Sequence, residues 1–254
     1  MVHISLKAEE IFRLGPPAGG FPITNTLLLS VTAAVIIAVI AVLSRRSIRI
    51  IPGGLQNIIE FIVEELLQLM DSVLGERKKS EKYLPLVATI FVFILFSNWL
   101  GLMPGIGSIG LVAHPPAGGE FTPLFRSPAS DLNFTLALAL ITVLAINILG
   151  VLAVGARPHL SKFFNFKSPV GFFIGILELV SEFAKIVSFS FRLFGNVFAG
   201  EVLLVVTAFL IPYVIPLPFL FLELFVGFIQ AFIFAMLSLV FIAIATSEEE
   251  AHAR

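Results

Sequence analysis

The chain reads as an all-α integral membrane protein, with about five transmembrane helices, one interfacial amphipathic helix and a long tilted C-terminal helical hairpin. Three observations predict this. Of the 254 residues, 58% are hydrophobic and 13% charged, against roughly 25% charged in soluble domains. The chain holds 27 Phe against 2 Tyr and 1 Trp, so most rings need no hydrogen-bond partner and suit acyl tails or neighbouring helices. Long apolar runs also alternate with short polar, glycine- and proline-rich breaks.

The elements follow in order within one expected membrane domain, 1–254. Residues 1–23 carry Lys7, Glu9, Glu10 and Arg13 and the turn-forming run Gly15 to Gly20. They lack the apolar core of a secretory signal and read as a short extramembrane tail. The first span covers 24–43 and ends at Arg45, Arg46 and Arg49. After Pro52-Gly53-Gly54, residues 55–75 place Ile58, Phe61, Ile62, Leu66 and Leu69 or Met70 at helical spacing, interrupted by Glu60, Glu64, Glu65 and Asp71. That pattern predicts an interfacial helix; a crossing would carry three glutamates into hydrocarbon. Glu76 to Lys82 reads as a hydrophilic turn before a span over 84–103. A Gly- and Pro-rich polar loop covers Pro104 to Ser130. Ser130-Asp131 supplies a helix N-cap for a span over 132–154, and a basic loop holds Arg157, His159, Lys162 and Lys167. Residues 169–210 read as one helix of about 60 Å, far longer than the ~20 residues of a perpendicular span. It must tilt, kink or protrude. Pro212, Pro216 and Pro218 mark the turn into a partner helix over 215–246, which ends near Glu248, Glu249 and Glu250.

Basic residues cluster in loops on one side, with only Arg126 in the opposite loops. This predicts an extracytoplasmic N-terminus and a cytoplasmic C-terminus. The net charge of −1 argues against a nucleic-acid partner. The chain has no cysteine, hence no disulfide or thiolate site. His3, His114, His159 and His252 lie far apart, without ligand spacing, and read as surface residues. No metal or cofactor is expected. No GxxxxGK[ST] loop is present, so nucleotide chemistry is not expected of this chain.

Arg192 is the most informative residue. It is a permanent cation inside an apolar helix, where a charge costs about 2.5–3.5 kcal/mol on insertion scales. The bland reading pairs it with a structural carboxylate; the sharp reading is an ion pathway. On a helical wheel, Glu178, Ser181, Lys185, Ser188 and Asn196 fall within about 40° of Arg192, and Glu182 near 80°. Glu201 lies about 180° away. In an antiparallel hairpin, residues at equal depth have a nearly constant summed number. Glu201 with Glu223 and Arg192 with Gln230 satisfy this, which gives two acids at one level and the arginine with a glutamine at a deeper one. Two carboxylates held together can share one proton. A fixed cation between acidic regions would oppose a continuous channel, so two half-paths are expected, with another carrier taking the ion past the arginine. Simpler readings stand beside these. Glu178, Glu182 and Lys185 can form ordinary ion pairs along a helix. Asn196 and Gln230 can be interhelical hydrogen-bond partners, and Gly195 and Gly200 can serve close packing.

Arg192 to Glu201, RLFGNVFAGE, closely resembles the signature of subunit a of the F-type rotary ATP synthases. Gln230 to Phe234, Ser97 to Gly105 and Ser130 to Leu136 are similar to that family's last helix and middle spans. The resemblance implies the stator half of an ion motor, facing a c-subunit ring and joined by the b-subunit peripheral stalk and the other synthase subunits; the untargeted N-terminus suits a bacterial plasma membrane. It implies proton translocation through two offset half-channels coupled to ATP synthesis, with catalysis in other subunits. Arg192 would face the ring carboxylate and block a direct leak. Asn196, Glu201, Glu223 and Gln230 would line the outer half-channel, and Glu178, Ser181 and Glu182 the cytoplasmic one. Family members vary between His and Glu at the positions of Glu201 and Glu223; here both are Glu. H⁺ is favoured over Na⁺ because nothing suggests an oxygen cage. A transporter acting alone would show inverted repeats, which are not evident, and a plain anchor leaves Arg192 unexplained.

Overall fold

The computed structural model describes residues 8–15, 20–46, 49, 53–112, 121–163, 169–211 and 214–252. His3, Lys7, His114, Lys167, Pro212 and part of the Gly- and Pro-rich loop lie outside these. Among the described residues the helices are α1 (Asn25–Arg46), α2 (Gly54–Leu74), α3 (Arg77–Gly101), α4 (Leu132–Val154), the short α5 (Ala156–Ser161), α6 (Pro169–Leu210) and α7 (Pro216–His252). Five of them, α1, α3, α4, α6 and α7, are long and apolar enough to cross a membrane. The protein is an all-α membrane protein.

The core is built where helix faces meet. Val87, Ile90 and Ile94 of α3, Ala139 and Val143 of α4, Phe189 and Leu193 of α6, and Ala231, Leu239 and Ile242 of α7 form one buried cluster. Helix α3 packs on α7, and α4 packs on both α6 and α7. Small residues at 139, 231 and 235 let the backbones approach, as lipid-embedded packing requires. The opposite faces carry exposed Val35, Ile141, Phe173, Phe183, Phe209 and Phe225. In water such a surface would aggregate; in hydrocarbon it is simply solvated.

Helix α2 differs. It carries acids among its apolar residues and is not one of the five apolar helices. Leu66, Leu67 and Met70 are buried, while Ile58 and Phe61 stay exposed. Gly75 ends it in the left-handed region at φ 72° and returns its N–H to the Asp71 carbonyl, a conformation glycine adopts without steric cost. Arg77 reaches back across this turn to Glu64 at 2.7 Å and Asp71 at 3.0 Å.

Several elements depart from the sequence reading. Arg77 to Lys82 are the first turns of α3, not a turn before it. Charged residues are good helix formers, so apolarity marks where a membrane could begin and not where a helix begins. The Gly- and Pro-rich loop contains a short antiparallel pair, β3 (Gly110–Val112) with β4 (Phe121–Pro123). The N-terminal tail forms another, β1 (Glu10–Leu14) with β2 (Phe21–Thr24). Such brief strands give too little periodicity to read. The basic loop after α4 holds α5. The expected N-cap is present: Asp131 accepts a hydrogen bond from the Asn133 N–H. Its other oxygen accepts from Thr26 at 3.2 Å, tying α1 to α4.

Candidate functional site

The hairpin of α6 and α7 holds the expected site residues. Its register is visible at two levels. The rings of Phe189 and Phe234 lie 4.5 Å apart, and the Glu223 carboxyl covers Gly200 so closely that a Cβ there would overlap it. Both contacts put Arg192 and Gln230 at about one depth.

At the end near the α6–α7 turn, three charged groups converge. Glu223 is buried, at 6% exposure, and lies within electrostatic reach of Glu201. Among the described residues its carboxyl has neither a hydrogen-bond partner nor a cation. Glu201 has both. The Arg126 guanidinium donates Nε to Glu201 Oε1 at 2.9 Å and Nη2 to Oε2 at 3.3 Å. Arg126 reads in the sequence only as a stray basic residue. No local signal could have matched it to a residue 75 positions away.

The rotation of α7 that turns Glu223 inward is set by α3. Asn98 donates to the Gly227 carbonyl at 3.1 Å, and the Trp99 ring N–H donates to the Leu224 carbonyl at 3.0 Å. A Cβ on Gly227 would sit 3.2 Å from that of Asn98, so glycine permits the close approach. Gln230, seven residues beyond Glu223, shares the buried face, at 9% exposure.

Arg192 lies mid-helix on the open side of α6. Its side chain donates to Ser188 at 3.3 Å, and Asn196 donates to the Arg192 carbonyl at 2.8 Å. Among the described residues no carboxylate pairs with Arg192, and it makes no hydrogen bond to Gln230. Equal depth therefore does not bring those two side chains together: Gln230 faces the bundle while Arg192 faces out of it. Ser181, Ser188 and Asn196 are exposed on the same open face.

At the other end of α6, Glu182 is gripped. Lys185 Nζ lies 2.5 Å from its Oε1, and Asn147 on α4 donates to its Oε2 at 3.0 Å. Lys185 also lies over the Phe241 ring of α7, 4.9 Å from its centre. Asn147 spends its amide hydrogens on Glu182 and on the Val143 carbonyl. Its oxygen is then left to accept, so His159, 3.1 Å away, must present a protonated Nε2. His159 corrects the surface reading of the histidines. It is 4% exposed, packed so tightly on Gly150 that a Cβ there would meet the ring at 2.7 Å. The short helix α5 carries it inward, and that turn has no sequence signature. Ser181 immediately precedes Glu182 and Glu178 stands about one turn before it, and among the described residues neither side chain has a hydrogen-bond partner.

No group of three or more His, Cys, Asp or Glu poised for a metal occurs among the described residues. The arrangement is instead a row of charged groups at three depths: an ion-paired acid with a second acid nearby on each side, and between them Arg192, which no carboxylate pairs with among the described residues. Its carboxyl groups can each take up or release a single proton.

The chain is similar to known proteins over nearly all of this framework. The ATP synthase A chain family matches residues 26–243. An ATP synthase subunit a of Campylobacter jejuni strain 81-176 is 36% identical over 222 residues, covering 86% of this chain and 88% of that protein. One from Campylobacter fetus is 35% identical over 90% of this chain and 92% of its own length. One from Moorella thermoacetica is 32% identical over 243 residues, 96% of this chain and 97% of its own length. With the five apolar helices, these matches show that the chain belongs to the ATP synthase A chain family, as a multi-pass membrane subunit.

Proposed function

We propose that this chain carries protons along two offset half-channels at the face where it meets a rotor ring of c subunits, coupling a transmembrane gradient to ATP synthesis. The carrying observation is Arg192. It is a mid-helix cation that no carboxylate of the described chain neutralises, flanked by Ser188 and Asn196 on an open face. A charge left so in hydrocarbon is costly, so its counter-charge belongs to a partner. A carboxylate on each ring subunit supplies one.

In this reading a proton enters at the end holding Glu201 and Glu223, passes Asn196 and Gln230, and protonates a ring carboxylate. The neutralised carboxyl turns into lipid. On its return from the other side it loses its proton near Arg192, whose charge favours the ionised form. The proton leaves past Ser181, Glu182 and Glu178 on the cytoplasmic side. Arg192 repels any proton that would pass directly between the half-channels. One charge crossing 100 mV releases about 2.3 kcal/mol, so several crossings drive each ATP, which is made in other subunits. The peripheral stalk of b subunits holds the chain still. The N-terminus lies outside a bacterial plasma membrane and the C-terminus in the cytoplasm.

ATP-driven acidification of vesicles holding the complete complex tests this. Arg192→Ala with assembly intact is expected to abolish pumping. Retained pumping would make Arg192 a structural residue and end the proposal.

A further inference from the structure

We infer that Arg126 is a positioning residue for proton uptake. By holding Glu201 in a two-pronged ion pair, it leaves Glu223 as the acid that takes the proton. This rests on the ion-path reading above and adds a division of labour between the two glutamates.

Geometry carries the argument. Arg126 stands just before the turn at Pro128–Ser130 that leads into α4, outside the hairpin altogether. Its side chain is 9% exposed and that of Glu201 30%. Both carboxylate oxygens of Glu201 are engaged, a fork geometry that only arginine matches. Glu223 sits one residue's depth away over Gly200, with no hydrogen-bond partner or cation among the described residues. A carboxylate paired on both oxygens has two of its four lone-pair sites taken up by the guanidinium. Its unpaired neighbour has all four open to a mobile proton, and the Arg126 guanidinium beside Glu201 offsets part of the charge that Glu201 presents to it.

A simple loop latch would use the same contact, so the test must separate the two roles. The complete complex in vesicles is compared for ATP-driven acidification per assembled complex in wild type, Arg126→Gln, Arg126→Lys, Glu201→Gln and Arg126→Gln/Glu201→Gln. Arg126→Gln strands an uncompensated carboxylate beside Glu223 and is expected to slow pumping about tenfold or more. Arg126→Lys restores part of the rate. The double variant, which strands no charge, pumps faster than Arg126→Gln alone. Wild-type pumping by Arg126→Gln overturns the inference, and so does a double variant as slow as the two single losses multiplied. If Arg126→Gln is not incorporated, Arg126→Lys is compared with Arg126→Lys/Glu201→Gln. A faster single variant supports the pair, and equal or slower rates overturn it. Arg192→Ala is run alongside. If it pumps, the ion-path reading fails; if only Arg126→Gln pumps normally, this inference alone fails.

Discussion

The two ends of α6 are built alike and charged alike, yet they are anchored differently. At the α6–α7 turn, one acid is held and one is not: Glu201 is gripped by Arg126 from the loop before α4, while Glu223 lies buried and, among the described residues, unbonded. On the other side of Arg192, Glu182 is gripped by Lys185 and Asn147, while Glu178 is unbonded among the described residues. Between them, among the described residues, Arg192 is held only by its own helix. A 42-residue helix is longer than a perpendicular crossing needs, and on each side of Arg192 it is tied to a neighbouring element. In each case the tie uses one acid and leaves a second at hand. What differs is the clamp. Arg126 is a full charge from outside the hairpin, whereas Asn147 is a neutral amide, itself braced by buried His159.

The sharpest way to break the comparison is Glu223→Gln beside Glu201→Gln. Loss of the unbonded acid is expected to cut vesicle acidification about 100-fold or more, the scale of a positioned proton-transfer group. Loss of the held one costs less. Equal losses would show that being gripped does not matter. Gly200→Ala probes the same point by packing, since its methyl group would overlap the Glu223 carboxyl. Overpacking of this kind costs about 1–3 kcal/mol, and pumping should fall with the melting temperature of the complex; wild-type values of both would refute the contact. At the other end, Asn147→Leu leaves Glu182 and His159 without their bridge. A buried polar group so stranded costs about 1–3 kcal/mol, to be read as lower thermal stability, with pumping slowed less than in Glu178→Gln. The reverse order would make the bridge part of the ion path.

The smallest effect is expected at a clamp outside the spans. Arg77 hydrogen-bonds hold the Glu64 carboxyl below its usual value, and Ser80 followed by Arg77 does the same for Asp71. Glu64 is exposed and Asp71 half-buried, so screening keeps the effect small. Because the folded values are lowered, the contribution is present above about pH 4 and fades as pH falls through the lowered values. Arg77→Gln should leave pumping unchanged and remove only that shallow acid dependence of thermal stability. A clear loss of pumping would put α2 in the coupling path.

Much of this could be read without a structure. Hydropathy alone determined the class and the five apolar helices, because hydrocarbon forces every backbone group to bond within its own helix. Helical periodicity separated α2 from the spans, put Arg192 on one stripe with Ser188 and Asn196, and aligned Glu223 with Gln230. Hairpin arithmetic brought Glu201 and Glu223 to one level. Tertiary structure alone decided the partners. Arg126 reaches Glu201 across 75 residues, His159 is buried by a six-residue helix, and Asn98 and Trp99 set the rotation of α7. It also turned Arg192 and Gln230 to different faces at equal depth. The reason is geometric. Period and charge are properties of one helix, whereas the partner of a side chain depends on how separate helices cross and rotate, which is set by many small packing contacts that no single segment encodes.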